Sequence, residues 1–258
     1  MNWMENVYNR KGFIHHTDTP QEDKDFYIYH KEKARQLLQI GEKFINEEGI
    51  LSHRSMPRGK EELGTKSKHL HRGIYCPSPV LDILITNAKR GRILVRPSER
   101  SKISNRYVYD ESGKLIFTDN YIDDKMISSE YLLYQDDTIY GVEVGMSGRI
   151  ICVSEEQYVQ DKLVCYIRAY NYGAGNTTEC GQLDCEKYHY DDVGLLDWDY
   201  YQLDYGCECI APSGFIDHKR FRFIRKDGML KGFYLVNNDG STIEGSFINE
   251  IKMNRKAK

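Results

Sequence analysis

The stretch Tyr107-Val-Tyr-Asp-Glu-Ser-Gly-Lys-Leu-Ile-Phe-Thr-Asp-Asn-Tyr121 contains two aromatic or aliphatic runs, separated by a polar turn that ends at Gly113. Aromatic and β-branched residues favour strands, and glycine reaches the positive φ that the last position of a bulged turn requires. The stretch therefore predicts a β-hairpin. The same spacing recurs around Gly148 and Gly194, and around Gly228 with one more turn residue.

The composition is that of a globular protein of 258 residues with a net charge of −3 and 20 tyrosines. The N-terminal residues 1–6 lack the apolar core of a signal peptide, and no apolar run is long enough to span a bilayer. The seven cysteines have irregular spacing, which favours free thiols in a reduced core. These features predict a cytoplasmic protein that does not bind a membrane.

Two helices are predicted before the hairpins. The first begins after Thr19 as N-cap, carries an amphipathic stripe and ends at Gly49. The second begins after Ser78 as N-cap and ends at Gly91, with Lys and Arg in its last turn. The polar and basic residues 52–72 between them predict a mobile loop.

After residue 91 the pattern changes to short strands joined by tight turns, which predicts an antiparallel meander. The fold class is therefore α+β: N-terminal helices followed by a long antiparallel β-meander of repeated hairpins in an open, twisted sheet. The expected division is a helical region at 1–91, a hairpin domain at 92–251 and a disordered basic tail at 252–258. Strands are expected at 92–96, 107–109, 115–118, 130–134, 138–144, 149–153, 163–170, 186–190, 195–201, 220–225, 229–236 and 242–248.

The hairpin phrase Tyr-x-Tyr-Asp-x-x-Gly-x-Leu, with its Tyr-Asp pair at Tyr109-Asp110 and again at Tyr190-Asp191, resembles the repeats of Rhs-type toxin shells. It is also similar to the hairpin-rich immunity proteins that accompany polymorphic toxins in bacteria. The resemblance covers residues 107–248, and the copies are spaced too widely and unevenly for an Rhs shell. What it implies is a small cytoplasmic protein that binds and neutralises a toxin domain; it brings no catalytic residues.

Motifs for cofactor or metal chemistry are weak. Gly173-Ala-Gly175 precedes no helix pattern, so its backbone amides have no platform for phosphate. Cys180 with Cys185, and Cys207 with Cys209, lack the two-residue spacing that zinc knuckles prefer. We therefore expect no cofactor, no metal, no small-molecule substrate and no enzymatic activity.

Charge is strongly polarised along the chain. Residues 179–208 hold nine carboxylates against one lysine, a local charge of −8. Acidic and aromatic residues interleave there, a combination that suits a basic protein partner. The expected partner is a basic toxin domain. The expected partner-binding residues are Glu186, Asp191, Asp192, Asp197, Trp198, Asp199, Tyr200, Tyr201 and Asp204. The alternative is that the acids form the solvent side of two strands.

The basic segment 66–106 supports a second function. Residues 87–106 carry a local charge of +6, and His69 and His71 lie nearby among cations. Such a segment could hold RNA through phosphate contacts and stacking, or cleave it with the histidines. The slightly negative total charge makes nucleic acid the less favoured partner.

Overall fold

The computed structural model describes residues 10–14, 19–81, 88–98, 101–173, 179–205, 214–226 and 229–243. Helix α1 spans Gln21–Asn46 and helix α2 spans Gly49–Ser55. Most of the remaining regular structure is antiparallel strand, so the α+β class with helices ahead of a β-meander is confirmed. The tail at 252–258 lies outside the described residues.

The strands of the described residues are numbered in chain order. They are β1 Arg10–Phe13, β2 Arg58–Thr65, β3 Arg92–Ile93, β4 Asn105–Asp110, β5 Leu115–Ile122, β6 Lys125–Gln135, β7 Thr138–Gly145, β8 Ile150–Val159, β9 Lys162–Asn171, β10 Cys180–Asp191, β11 Gly194–Asp204, β12 Phe215–Lys226 and β13 Met229–Leu235. Each strand expected between residues 107 and 236 is present. Of the strand expected at 242–248, only residues 242 and 243 are described, and Thr242 forms a bridge with Val236.

The chain packs as two compact units. Of the described residues, the first contains 10–14, 19–35, 158–173, 179–205, 214–226 and 229–243, and the second contains 36–81, 88–98 and 101–157. This division does not follow the boundary expected after residue 91, and the predicted domains stay predictions.

In the second unit the strand order is β3-β2-β4-β5-β6-β7-β8. Gly113 has φ 84 and its amide donates to the carbonyl of Asp110 at 3.0 Å. The β4–β5 register shifts between Val108 and Tyr109, so the hairpin is bulged as predicted. On the helix side, a Cβ at Gly41 would lie 2.7 Å from Val153 Cγ2, so glycine lets α1 approach the sheet closely.

In the first unit the order is β9-β10-β11-β12, and both β1 and β13 pair with the far edge of β12. The N-terminal part of α1 packs here: the Phe26 ring stacks on His218 with centroids 5.9 Å apart and meets Tyr201 edge-on at 5.5 Å. Among the described residues, the first and last strands in each unit's order do not pair with each other, so the strands of each unit form an open arrangement rather than a closed barrel. The twist stays a prediction.

Two local expectations were wrong. Gly49 does not terminate the helical region; Glu48 takes a left-handed conformation with φ 58, and Gly49 begins α2. Residues 52–72 are not one loop, because the last four residues of α2 and all of β2 fall within them. At the second predicted helix, Ser78 Oγ accepts the amide of Leu81 at 2.9 Å, as an N-cap does. The body of that helix, 82–87, lies outside the described residues.

Candidate functional site

Most of the nine expected partner-binding residues are buried. The exposed fractions of Glu186, Asp197, Trp198, Asp199 and Tyr201 are 1%, 6%, 0%, 3% and 2%. The remaining four keep solvent contact: Tyr200 and Asp191 are half-buried, and Asp192 and Asp204 are exposed. The expectation of one exposed acidic and aromatic face is therefore corrected, and a binding role stays a prediction only for residues that a partner can reach.

Strand alternation also separates the acids of this segment. Successive side chains of a strand point to opposite faces. Glu186 lies opposite Tyr200, whereas Asp199 lies opposite Lys187, so Glu186 and Asp199 are on different faces of the β10–β11 pair. Trp198 shares the face of Glu186 and stacks on Phe221 with ring centroids 5.0 Å apart, which makes it a core residue.

On the face of Asp199, cross-strand pairing places cations beside each buried carboxylate. One row runs Lys187–Asp199–Arg220 and the next runs His189–Asp197–Arg222. Arg220 donates Nε and Nη2 to the two oxygens of Asp199 at 2.9 and 2.6 Å. The acids occupy the central strand β11, and the flanking strands supply the positive groups.

The Arg222 guanidinium repeats this arrangement in the second row. It donates Nε and Nη2 to Asp197 at 2.9 and 3.0 Å. Bidentate pairs of this kind are strong and geometrically specific. Asp197 and Asp199 are therefore neutralised within the sheet, and a basic partner would have to break these pairs to use them.

The environment of Asp199 keeps it ionised. Burial alone would raise its pKa, but hydrogen bonds from His189 and His218, together with Arg220, hold the pKa well below its usual range. His189 Nε2 lies 2.7 Å and His218 Nε2 3.3 Å from the carboxylate oxygens. Three groups from β10 and β12 thus share one buried carboxylate, which fixes the position of β11 between its neighbours.

Within the sheet strands and turns that the structure describes, several exposed carboxylates without a partner lie at hairpin turns. In the first unit, Asp161 is in the β8–β9 turn and Asp192 is in the β10–β11 turn, and both are exposed. Because Lys187 pairs with Cys165, these two turns lie at the same end of their strands. Asp191, beside Asp192, is already paired: Arg225 donates to it at 3.1 Å.

The second unit has the same feature. Glu111 lies in the β4–β5 turn, and Asp136 and Asp137 lie in the β6–β7 turn; all three are exposed. Because Phe117 pairs with Tyr131, the two turns lie at one end of the meander, two strand spacings or roughly 10 Å apart. No hydrogen bond or ion pair within the described residues involves these three carboxylates. Sequence reasoning singled out the pair Asp191-Asp192 but missed Asp136-Asp137, the Asp-Asp pair between β6 and β7.

The basic segment is also partly used inside the fold. Arg90 Nη1 donates to the Cys76 carbonyl at 2.7 Å, and Arg106 Nη2 donates to Asp119 at 2.6 Å. By contrast, Lys68 and Lys89 exchange backbone hydrogen bonds at 2.8 Å and are both exposed, so two lysine residues lie directly opposite each other in a β-bridge. Like charges in that position are unfavourable unless an anion offsets them. Further exposed basic residues of this segment are Lys66, His69, Arg92, Arg96 and Lys102.

The cysteines lie mainly in the interior. Cys76, Cys152, Cys165 and Cys185 are buried free thiols, and Cys180 is half-buried. Burial raises the pKa of the Cys180 thiol to about 12, so it is not a thiolate at neutral pH. Within the described ranges, no group of three or more His, Cys, Asp or Glu side chains could hold a metal ion. Cys207 and Cys209 lie outside those ranges.

Comparison of the sequence with protein-family models and with curated proteins finds no match. In the described part of the chain, no helix combines the length and the apolar character that crossing a membrane requires. The function is therefore argued from the charges and contacts above.

Proposed function

We propose that this protein is a non-catalytic, immunity-type protein that binds and neutralises a basic toxin domain, with the exposed carboxylates of the turns at one end of each unit's strands as its docking charges. The observation that carries the proposal is the division between paired strand acids and unpaired turn acids. The neutralising role rests on the resemblance of the hairpins to immunity proteins. The residues concerned are Glu111, Asp136 and Asp137 in the second unit, and Asp161 and Asp192 in the first.

The physical argument concerns what a partner must disrupt. A basic residue that approaches Asp199 competes with Arg220, which already holds both carboxylate oxygens. One that approaches Asp136 or Asp137 displaces only water. Exposed charges of one sign also accelerate encounter with an oppositely charged partner, and salt weakens that acceleration. The turn acids therefore suit rapid, salt-dependent association.

The test uses a basic domain encoded by a neighbouring gene, which the proposal identifies as the toxin. Cells that express that domain are expected to grow only when this protein is co-expressed. The triple change Glu111→Gln, Asp136→Asn and Asp137→Asn is expected to weaken the protection. Asn is suitable because, like Asp, it tolerates the left-handed conformation that Asp136 adopts at φ 46. Growth without this protein, or full protection by a variant lacking all five turn charges, would contradict the proposal.

A second candidate function is RNA binding by the basic segment 66–106. The opposed pair Lys68 and Lys89, with exposed Arg92 and Arg96 nearby in sequence, is the observation that favours it. Phosphate contacts of this kind make affinity fall steeply with salt. Arg90 is unsuitable as a probe because it already donates to the Cys76 carbonyl.

The RNA candidate is tested with a single-stranded RNA oligonucleotide and purified protein. Binding is expected to fall when salt is raised, and to be lost in the double change Lys68→Gln and Lys89→Gln. The matched control is Lys125→Gln together with Lys162→Gln, two exposed lysines elsewhere on the meander. Equal binding by both variants would remove the segment as an RNA site. Loss of RNA cleavage, but not of binding, on His69→Ala would instead indicate the cleaving alternative.

A further inference from the structure

A segment of the second unit, residues 66–76, lies against its sheet; we call it the strap. Tyr107 holds it at two points, because its hydroxyl donates to the Arg72 carbonyl at 3.1 Å and accepts the Ile74 amide at 3.1 Å. Ser67 Oγ donates to Asn105 Oδ1 at 2.5 Å. The strap therefore covers part of β4 without being a strand of the sheet.

The strap has an unfavourable backbone. Lys66, His69 and Arg72 have φ of 62, 58 and 55, and Gly73 has φ 54. Three non-glycine residues in the left-handed region within seven positions are costly, and such conformations persist only where the surroundings impose them. Interactions elsewhere in the strap must offset this cost.

The Arg72 side chain supplies these interactions. Its Nε and Nη2 donate to Glu130 at 2.9 and 2.8 Å, its Nη1 donates to Glu156, and its Nη2 also donates to Ser154 Oγ at 3.1 Å. The exposed fractions of Arg72, Glu130 and Glu156 are 4%, 1% and 2%. Two carboxylates and a hydroxyl from β6 and β8 thus enclose one guanidinium group.

The backbone between those strands is shaped for the same group. Gly141 of β7 pairs with Ser154 of β8 on one side and with Leu132 of β6, two residues from Glu130, on the other. A Cβ there would lie 2.0 Å from Glu130 Oε1, 2.5 Å from Ser154 Oγ and 2.7 Å from Arg72 Nη2. Glycine leaves the space that the planar guanidinium and its carboxylate partner occupy.

The charges around the Arg72 side chain favour a cation. Glu130 and Glu156 bring two negative charges against one from Arg72, and His71 Nε2 lies 3.1 Å from Glu130. Burial would raise the pKa of Glu130, but Arg72 and His71 outweigh it, so the pKa lies well below its usual value. If Arg72 left, two buried carboxylates would remain without their arginine, which is strongly unfavourable unless another cation takes its place.

We propose that Glu130, Glu156, Ser154 and Gly141 form a guanidinium-binding site, that Arg72 is its resident ligand, and that this ligand holds the strap on the sheet. The ligand class is the planar guanidinium group of an arginine side chain, because two carboxylates and a hydroxyl match its fork of donors better than they match an ammonium. The site does not depend on the function proposed above.

The first test empties the site and supplies a free ligand. Arg72→Gly removes the side chain while glycine accepts the left-handed backbone. Ethylguanidinium is the probe, and ethylammonium is the control of equal charge without the fork. The variant is expected to bind ethylguanidinium at least ten-fold more tightly than ethylammonium in calorimetry, with a matching rise in Tm. Wild type is expected to bind neither, and the double variant with Glu130→Gln is expected to lose the binding.

A matched control variant tests whether ethylguanidinium binding requires a buried site. Arg54 also pairs with a buried carboxylate, Asp119, at 2.8 Å, but its own side chain is 30% exposed. Water can refill that position, so Arg54→Ala is expected to show no rise in Tm with ethylguanidinium. A folded Arg72→Gly variant without saturable ethylguanidinium binding would overturn the proposal, as would equal affinity for ethylammonium.

The second test keeps Arg72, in case its removal prevents folding. Gly141→Ala places a methyl group where the guanidinium and Glu130 meet, and is expected to accelerate amide hydrogen exchange at least ten-fold in the strap. Gly145→Ala on the same strand is the control, because its new Cβ would lie 3.3 Å from the flexible end of Ile151. Unchanged exchange at 66–76 in Gly141→Ala would show that the guanidinium does not hold the strap.

Discussion

The carboxylates of β11 and those of the hairpin turns are the same chemical group in two different roles. Asp197 and Asp199 lie in mid-strand, where a neighbouring strand places an arginine opposite each. Asp136 and Asp137 lie in a turn, where no strand lies opposite. The comparison teaches that a run of acids in the sequence does not define an acidic surface. Register with the next strand decides which charges remain available.

Among the strand residues, the largest effect on the free energy of unfolding is expected from a change at Trp198. If strand positions build the interior, Trp198→Ala leaves a cavity beside Phe221 and lowers the free energy of unfolding by about 3–5 kcal/mol. Urea unfolding measures this. Tyr172→Ala, an exposed aromatic side chain in the same unit, is the control and is expected to change it by less than about 1 kcal/mol. A neutral Trp198→Ala would mean that this residue is not a core residue.

The next largest effect is expected at Asp199. Asp199→Asn leaves the largely buried Arg220 without its carboxylate and is expected to destabilise the protein by about 3 kcal/mol. Asp192→Asn, a turn change of the same kind in the same unit, is expected to stay within about 0.5 kcal/mol. Denaturant titrations of the two variants give the comparison directly. Equal losses would remove the distinction between strand and turn acids.

The pH dependence of stability also separates the buried strand carboxylates from the exposed turn carboxylates. The folded-state pKa values of Asp199 and Glu130 lie below their usual values, so these carboxylates add stability above the pKa of the unfolded chain. That stability is expected to decline as the pH falls below about 4, and to continue declining through the lowered folded values. Urea unfolding between pH 7 and pH 3 follows it. Asp199→Asn is expected to give a shallower decline, whereas Asp136→Asn is expected to leave the decline unchanged.

The hairpins of the sheet could be predicted from local signals. Gly113 and Gly148 adopt φ 84 and 80 as expected, since a bulged turn needs positive φ at that position. Strand β2 could not be predicted in the same way, because Arg58–Thr65 is polar and becomes a strand only by pairing with β4. Tertiary pairing there overrides local propensity.

The candidate site was harder to predict for a related reason. Arg220 lies 21 residues after Asp199, and only the β11–β12 register shows that the two are opposite each other. A count of charges over 179–208 stops before β12 and therefore omits the cations that neutralise the segment. The Arg72 site depends on even more distant strands, since Glu156 is 84 residues away.

The most direct test of the central claim is the rate of association with the toxin domain used in the growth test, measured by stopped flow at low and high salt. The triple variant Glu111→Gln, Asp136→Asn and Asp137→Asn is compared with a control, the double variant Asp123→Asn and Asp124→Asn. The control changes the β5–β6 turn, which lies at the opposite end of the same meander. We predict an association rate about ten-fold lower at low salt for the first variant only, with the difference lost at high salt. Equal rates for the two variants, or no change in either, would contradict the account.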